Sequence, residues 1–365
     1  MKQIKLELIL LSTLVFGVGQ GLIGSRSLDS AIASMQSLGQ QLQVEKDQNQ
    51  LSISFAKSFS EGLAAVEIDG KWGYIDRNGT ITIAPQFDYA GHFEVEGLAT
   101  AASQGRYGYI DKKGSWAIAP IFDLGDRFND GLAMVIVNGK YGFINTKGEF
   151  IIPIKFKRAD RFSEGLAAAS LNGQKWGYLD KKGKWAIPPQ FEKAQRFQEG
   201  RGLIKINGKY GYIDVQGNET ISPQFEKALP FSERLALVSK GNRYGYIDKN
   251  GNLSIPLKFQ SAQSFGEGKA QILVRGKWGY IDTGGNEAIA PQFLLAHEFE
   301  ENLASVTKEG ERWGYIDLQG NEAISPKFEY ATPFSEGLAA VQLIGGDWAY
   351  VNRLGKILTI GGISE

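Results

Sequence analysis

Nine aromatic residues occupy one recurring position in this sequence: Trp72, Tyr107, Tyr141, Trp176, Tyr210, Tyr244, Trp278, Trp313 and Trp348, spaced 34 or 35 residues apart without a gap. Evenly spaced Trp and Tyr faces can stack on sugar rings, so these nine are the candidate ligand-binding residues. The competing use of the same rings is structural, because large aromatics dominate the energetics of packed interfaces. A second series is acidic: Glu61, Glu96, Asp130, Glu164, Glu199, Glu233, Glu267, Glu301 and Glu336 recur at one position, and in five of the nine units a Gly-Leu pair follows. A basic residue stands before the aromatic in eight of the nine units, from Lys71 to Arg312. The two ladders are expected to meet across a hairpin as surface ion pairs, each contributing about 0–1 kcal/mol, rather than as a basic stripe for an anionic polymer.

Catalytic and metal chemistry find little to work with. The chain has no cysteine, and its two histidines, His92 and His297, fall in different slots of the repeat. No calcium-loop spacing occurs, the recurring Gly-Lys lacks the Ser or Thr of a phosphate loop, and there is no Gly-x-Ser-x-Gly. The expectation is a non-enzymatic protein with no metal and no cofactor. Forty basic residues balance forty acidic ones, which supplies no electrostatic drive toward nucleic acid.

The elements that carry these residues follow from the period, which is the mark of a repeat architecture. In the first unit, Gly62-Leu-Ala-Ala-Val-Glu-Ile68 reads as a strand, and Asp69-Gly70 as a type I′ hairpin turn, which needs positive φ at both central residues. Lys71–Asp76 is the second strand. Asp76-Arg-Asn-Gly79 is a turn closed by a left-handed glycine. Thr80–Ala84 is a third strand, which Pro85 is expected to end. The tail through Phe87 to Phe93 then serves as a return segment, and its recurring phenylalanines plug neighbouring units. Tetratricopeptide-like helices of similar period are excluded, because glycine and proline break every unit and Val, Ile and Tyr alternate at period two between them. Along the second strand Trp72, Tyr74 and Asp76 point one way and Gly73 the other, where a neighbouring backbone or ring can approach. Trp116 and Trp185 take the slot of Ile81 and read as core variants.

The recurring Lys-Trp-Gly-Tyr-Ile-Asp, the Pro-Gln-Phe after it and Phe-Ser-Glu-Gly-Leu resemble the WG-repeat (KWG-repeat) proteins of bacteria, over Phe59 to about Ile360. Local departures are Ala349 and Asp347 in the ninth copy, and Arg201 and Lys269 in place of Leu. The resemblance implies a β-rich, frequently exported protein and no assigned chemistry.

The expected architecture is all-β: nine units of about 34 residues over 55–365, each a three-stranded meander plus return segment, stacked as an open, twisted, solenoid-like rod. A closed β-propeller-like ring is the alternative; propellers usually number four to eight blades of four strands. In a ring, Ile357–Ile360 would be the closing strand, and pairing of Lys356–Ile360 with Phe59–Ile68 would decide for it. Residues 1–24 read as a signal peptide or membrane anchor, with Lys2 and Lys5 before an apolar run, and 25–54 as an amphipathic helix and polar linker. The expected function is an interaction scaffold of the cell envelope for protein partners, with glycan binding along the aromatic ladder as the alternative. The expected location is periplasmic or extracellular, or tethered to the outer face of the inner membrane, with membrane contact only through 1–24.

Overall fold

The turn chemistry sets the strands. At Asp69 and Gly70 the backbone takes φ of 51° and 74°, and the strands on either side pair with Ile68 opposite Lys71. After the next strand, the Asp76 carboxylate accepts hydrogen bonds from the backbone N–H groups of Asn78 and Thr80, each at 2.9 Å. A third turn, at Glu61-Gly62, also has positive φ at both residues and bridges Ser60 to Leu63. These turns join four strands: β1 (Phe55–Ala56), β2 (Leu63–Ile68), β3 (Lys71–Asp76) and β4 (Ile81–Phe87), hydrogen-bonded in that order. After the single residue Asp88, β5 (Tyr89–Phe93) opens the next sheet. The computed structural model describes residues 51–358 and 360, and the expected leader and amphipathic helix lie outside the described residues.

The unit is therefore a four-stranded sheet and not a three-stranded meander with a return. The tail read as a return segment is the first strand of the following blade. Pro85 does not end its strand either. Trp72 pairs with Phe87 and Tyr74 with Ile83, so four residues on β4 span what two span on β3, and the excess is a bulge at Ala84–Pro85. A bulge is where a sheet tolerates a residue without an N–H. It presses on the strand beside it: a Cβ at Gly73 would lie 2.5 Å from the Ile83 carbonyl oxygen and 2.7 Å from the Pro85 nitrogen. The glycine that follows the leading aromatic in eight of the nine units is the space the bulge needs.

Nine such sheets follow one another along the chain. β2 is buried on both faces while β4 alternates between buried and exposed, because blades pack face to face across their middle strands. Each core belongs to two blades. Trp72, Tyr74, Ile83 and Phe87 of the first pack on Ala90, Phe93, Ala99 and Ile110 of the second. Burying each phenylalanine there contributes about 1.5–3 kcal/mol.

Nine clusters of this kind are present among the described residues. An open stack has one interface fewer than its units, so nine interfaces for nine sheets require a ring. The ninth interface joins Leu338, Ala340 and Tyr350 of the last blade to Ile53, Phe59, Val66 and Ile75 of the first. The molecule is a nine-bladed β-propeller, which overturns the expected open rod. Closure is not by strand exchange: Ile357–Leu358 pairs within its own blade with Tyr350 and Val351. Packing closes the ring, aided by a backbone bond from the Trp348 N–H to the Ile53 carbonyl at 2.9 Å. Ile53, assigned to the linker by sequence, is 1% exposed in that interface.

Candidate functional site

The nine predicted aromatics do not form one uniform ladder. Trp72 and Trp313 are buried, at 9% and 5% exposure, and the other seven are half-buried against the inter-blade cores. Four of them are gathered into a continuous arc by residues the periodic reading missed. Tyr107 meets Tyr89 at 5.7 Å between ring centroids, Tyr89 meets Trp72 at 6.3 Å, and Trp72 meets Phe55 at 5.8 Å. Across the closure seam, Phe55 lies 5.0 Å from Trp348. Tyr330 then bridges Trp348 at 6.0 Å and Trp313 at 5.5 Å, and His297 stacks on Trp313 at 4.8 Å. Tyr141, Trp176, Tyr210, Tyr244 and Trp278 have no such aromatic neighbours among the described residues.

The linking residues Phe55, Tyr89 and Tyr330 open the first strands of their blades and are 42%, 37% and 37% exposed. Their slot is aromatic in only three blades, so a search for what repeats averages them away. Beside them, Lys57 Nζ lies 4.0 Å from the Tyr89 ring centroid and 4.7 Å from that of Trp72, and donates to the Ala90 carbonyl at 2.7 Å. Burial among these rings pushes its pKa down to about 8.

The second aromatic of the repeat, two residues after the first, proves the more thoroughly structural. Tyr74 is fully buried, and its hydroxyl donates to the Gly91 carbonyl of the next blade at 2.8 Å. Tyr109, Tyr178, Tyr212, Tyr246, Tyr280 and Tyr315 repeat this hook. Tyr350 makes it across the seam, to the Lys57 carbonyl at 2.6 Å. Burial pushes every one of these phenols well above the ordinary tyrosine range. The third unit has Phe143 in this place and has no hydroxyl to give.

The acidic ladder also turns inward on the structure. Glu336 accepts from the Gly62 N–H at 3.0 Å, Glu301 from Gly337 at 3.0 Å and Glu233 from Gly268 at 3.0 Å. Asp130, Glu164, Glu199 and Glu267 reach the following blade in the same way. Charged partners join from the turn after the third strand: Arg77 pairs with Glu336 at 2.6 Å, Arg353 with Glu301 at 2.7 Å and Lys249 with Glu199 at 3.1 Å. The basic residues before the aromatics, expected to meet these acids, instead meet the crossing residues between blades: Lys71 pairs with Asp88 at 2.6 Å, and Arg106 with Asp123. The acids stand at the opposite end of the strands, where the first hairpin of each blade lies.

The recurring turn aspartates serve the backbone, and the Asn218 amide beside Asp214 holds its carboxyl below the usual range. Burial lowers the pKa of both histidines, and His297 Nδ1 is hydrogen-bonded to Ser305 Oγ at 2.8 Å. Trp116 and Trp185 pack edge-on against Phe87 and Phe156 of the preceding blades, as core variants should.

Comparison with known families gives one clear result. A family model described as WG-containing repeat matches residues 53–72, 72–102, 107–141, 141–174, 176–210, 210–244, 244–278, 278–311 and 313–347. Among solved structures, the chain is similar to the computationally designed Ika8 protein, at 12% identity and TM-score 0.47, covering 83% of this chain and 96% of that one. It is similar to a eukaryotic initiation factor at 12% identity and TM-score 0.49, covering 86% and 89%. It is also similar to BamB from Moraxella catarrhalis at 10% identity and TM-score 0.40, covering 82% and 98%. A search of curated proteins gives no match.

Proposed function

This chain belongs to the family of WG-containing-repeat proteins, and we propose that it is a non-enzymatic interaction scaffold of the cell envelope, presenting its ring to protein partners. The observation that carries this reading is where the repeated polar groups go. Turn aspartates bind backbone N–H groups, tyrosine hydroxyls hook blade to blade, and seven of the nine ladder acids reach the next blade. Outside the cores, residues at equivalent places differ from blade to blade, as at Phe55, Tyr89 and Arg158, and a rigid frame carrying non-equivalent surface side chains suits recognition of proteins. The basic, then apolar, start of the sequence supports an envelope location.

Glycan stacking along the nine aromatics is supported less well. Trp72 and Trp313 are buried, and neighbouring rings of the arc are tilted 38–60° to one another in mutual contact, apart from the Trp313–His297 stack. The test is cross-linking of the full chain in its native envelope, followed by competition with excess free protein. The scaffold reading expects one or a few proteins captured stoichiometrically and displaced by the competitor. Retention of polysaccharide without protein would overturn it.

A further inference from the structure

The residue that opens the first strand divides the ring in two. In five consecutive blades it is apolar: Leu295, Tyr330, Phe55, Tyr89 and Leu124, each between 37% and 47% exposed. In the next three blades it is Arg158, Lys193 and Lys227, all exposed. All eight lie at one end of the ring. That end is fixed by Asp88, just before Tyr89, which pairs with Lys71 beside one second hairpin and accepts from the Gln104 N–H in the next.

The three basic side chains form no ion pair among the described residues, and only Lys227 has a polar contact, Nζ to the Tyr244 hydroxyl at 2.9 Å. Nearby acids are otherwise engaged: Glu192 accepts from the Gly208 N–H at 3.1 Å and Glu226 faces Lys209 at 3.9 Å. At the third crossing, Lys157 takes the place that holds Asp88 and Asp123 earlier. Beside Lys227, the residues Leu229, Tyr244 and Ser261 help line a niche of about 220 Å³, room for a side chain.

We infer that this end of the ring is a docking surface for a protein segment whose apolar side chains adjoin a run of acidic ones. This rests on the scaffold reading and names its partner's chemistry. The apolar arc supplies the buried core that an interface needs, and the ion pairs at Lys71–Asp88 and Arg106–Asp123 supply its polar rim. The uncompensated cations supply charge complementarity toward carboxylates. A membrane surface fits less well, since Asp88, Asp123 and Glu329 interrupt the apolar arc and would have to leave water.

The test is selection of a random peptide library on the full chain, then titration of the enriched peptides by fluorescence anisotropy. Peptides joining aromatic or aliphatic residues to Asp or Glu are expected. Tyr89→Ser with Tyr330→Ser should weaken them about tenfold or more. Arg158→Glu, Lys193→Glu and Lys227→Glu together should do the same and flatten the salt dependence. Lys181→Glu with Lys182→Glu, at the opposite end, should leave binding unchanged. Thermal melts confirm that each variant is folded. Peptides that bind but ignore both sets of substitutions would overturn this assignment and leave the scaffold reading standing, whereas a folded chain that enriches no peptide would count against both. Vesicles of mixed neutral and anionic phospholipid sedimenting the chain, with the basic triple variant released, would overturn it in favour of a membrane.

Discussion

At the scale of the residue, the glycine after each leading aromatic carries the sharpest prediction. Gly73→Ala places a Cβ against the fixed backbone of the Ile83–Pro85 bulge, and it should cost about 1–3 kcal/mol or more in chemical denaturation. The ninth copy carries Ala349 at this position, where the partner strand among the described residues, Ile357–Leu358, has neither proline nor bulge. Ala349→Gly should therefore bring no gain. The tyrosine hooks allow the converse experiment: Phe143→Tyr supplies the one missing hydroxyl, and should stabilise by about 0.5–1.5 kcal/mol if it reaches the Asp160 carbonyl. The hooks also set a pH limit. Their phenols ionise in the unfolded chain near the ordinary pKa of 10.0 but not in the native ring, so the unfolded state loses protons first and stability falls as pH rises above about 10, by about 1.4 kcal/mol per unit for each tyrosine. Phenolate absorbance should appear only with unfolding. Lys57 works the other way: with its native pKa near 8 and the unfolded value at 10.5, the unfolded state holds more protons between them. Stability gains with pH across that window, and Lys57→Met should remove the gain.

At the scale of the element, turns were legible because their chemistry is local. Asp69-Gly70 and Asp76–Gly79 demand particular φ values, and the conformations they adopt are those expected. The same logic predicts an improvement. Gln104 and Arg275 hold φ of 52° and 50° in the slot filled elsewhere by Asn138 and Asn207, and a left-handed backbone costs such residues about 1–2 kcal/mol. Arg275→Asn should raise the melting temperature, and Asn138→Ala should lower it. The full length of β4 was hidden by Pro85: Thr80–Ala84 read as a strand, but its continuation to Phe87 did not. Proline reads as a stop wherever the ladder is regular, and only the Gly73 gap opposite it turns the stop into a bulge. The aromatic arc was hidden for another reason: Phe55, Tyr89 and Tyr330 stand in a slot that holds Arg158 or Lys193 elsewhere, so no period announces them.

At the scale of the whole molecule, interface chemistry is the same in a rod and in a ring. Phe87 plugging the next unit, and Glu301 reaching Gly337, would serve either. Between blades, small residues such as Ala90 and Ala101 share a core with the large Trp72 and Tyr74, a three-dimensional balance that strand alternation does not encode. Closure brings Arg77 and Glu336, 259 residues apart in sequence, within 2.6 Å. The chain has no native cysteine, so the pair Arg77→Cys, Glu336→Cys can be joined without competition by mild oxidation or a short bis-maleimide. A closed ring predicts rapid intramolecular cross-linking at low protein concentration, with none for Arg77→Cys, Glu199→Cys across the ring. A folded chain that cross-links only between molecules, or not at all, would contradict it.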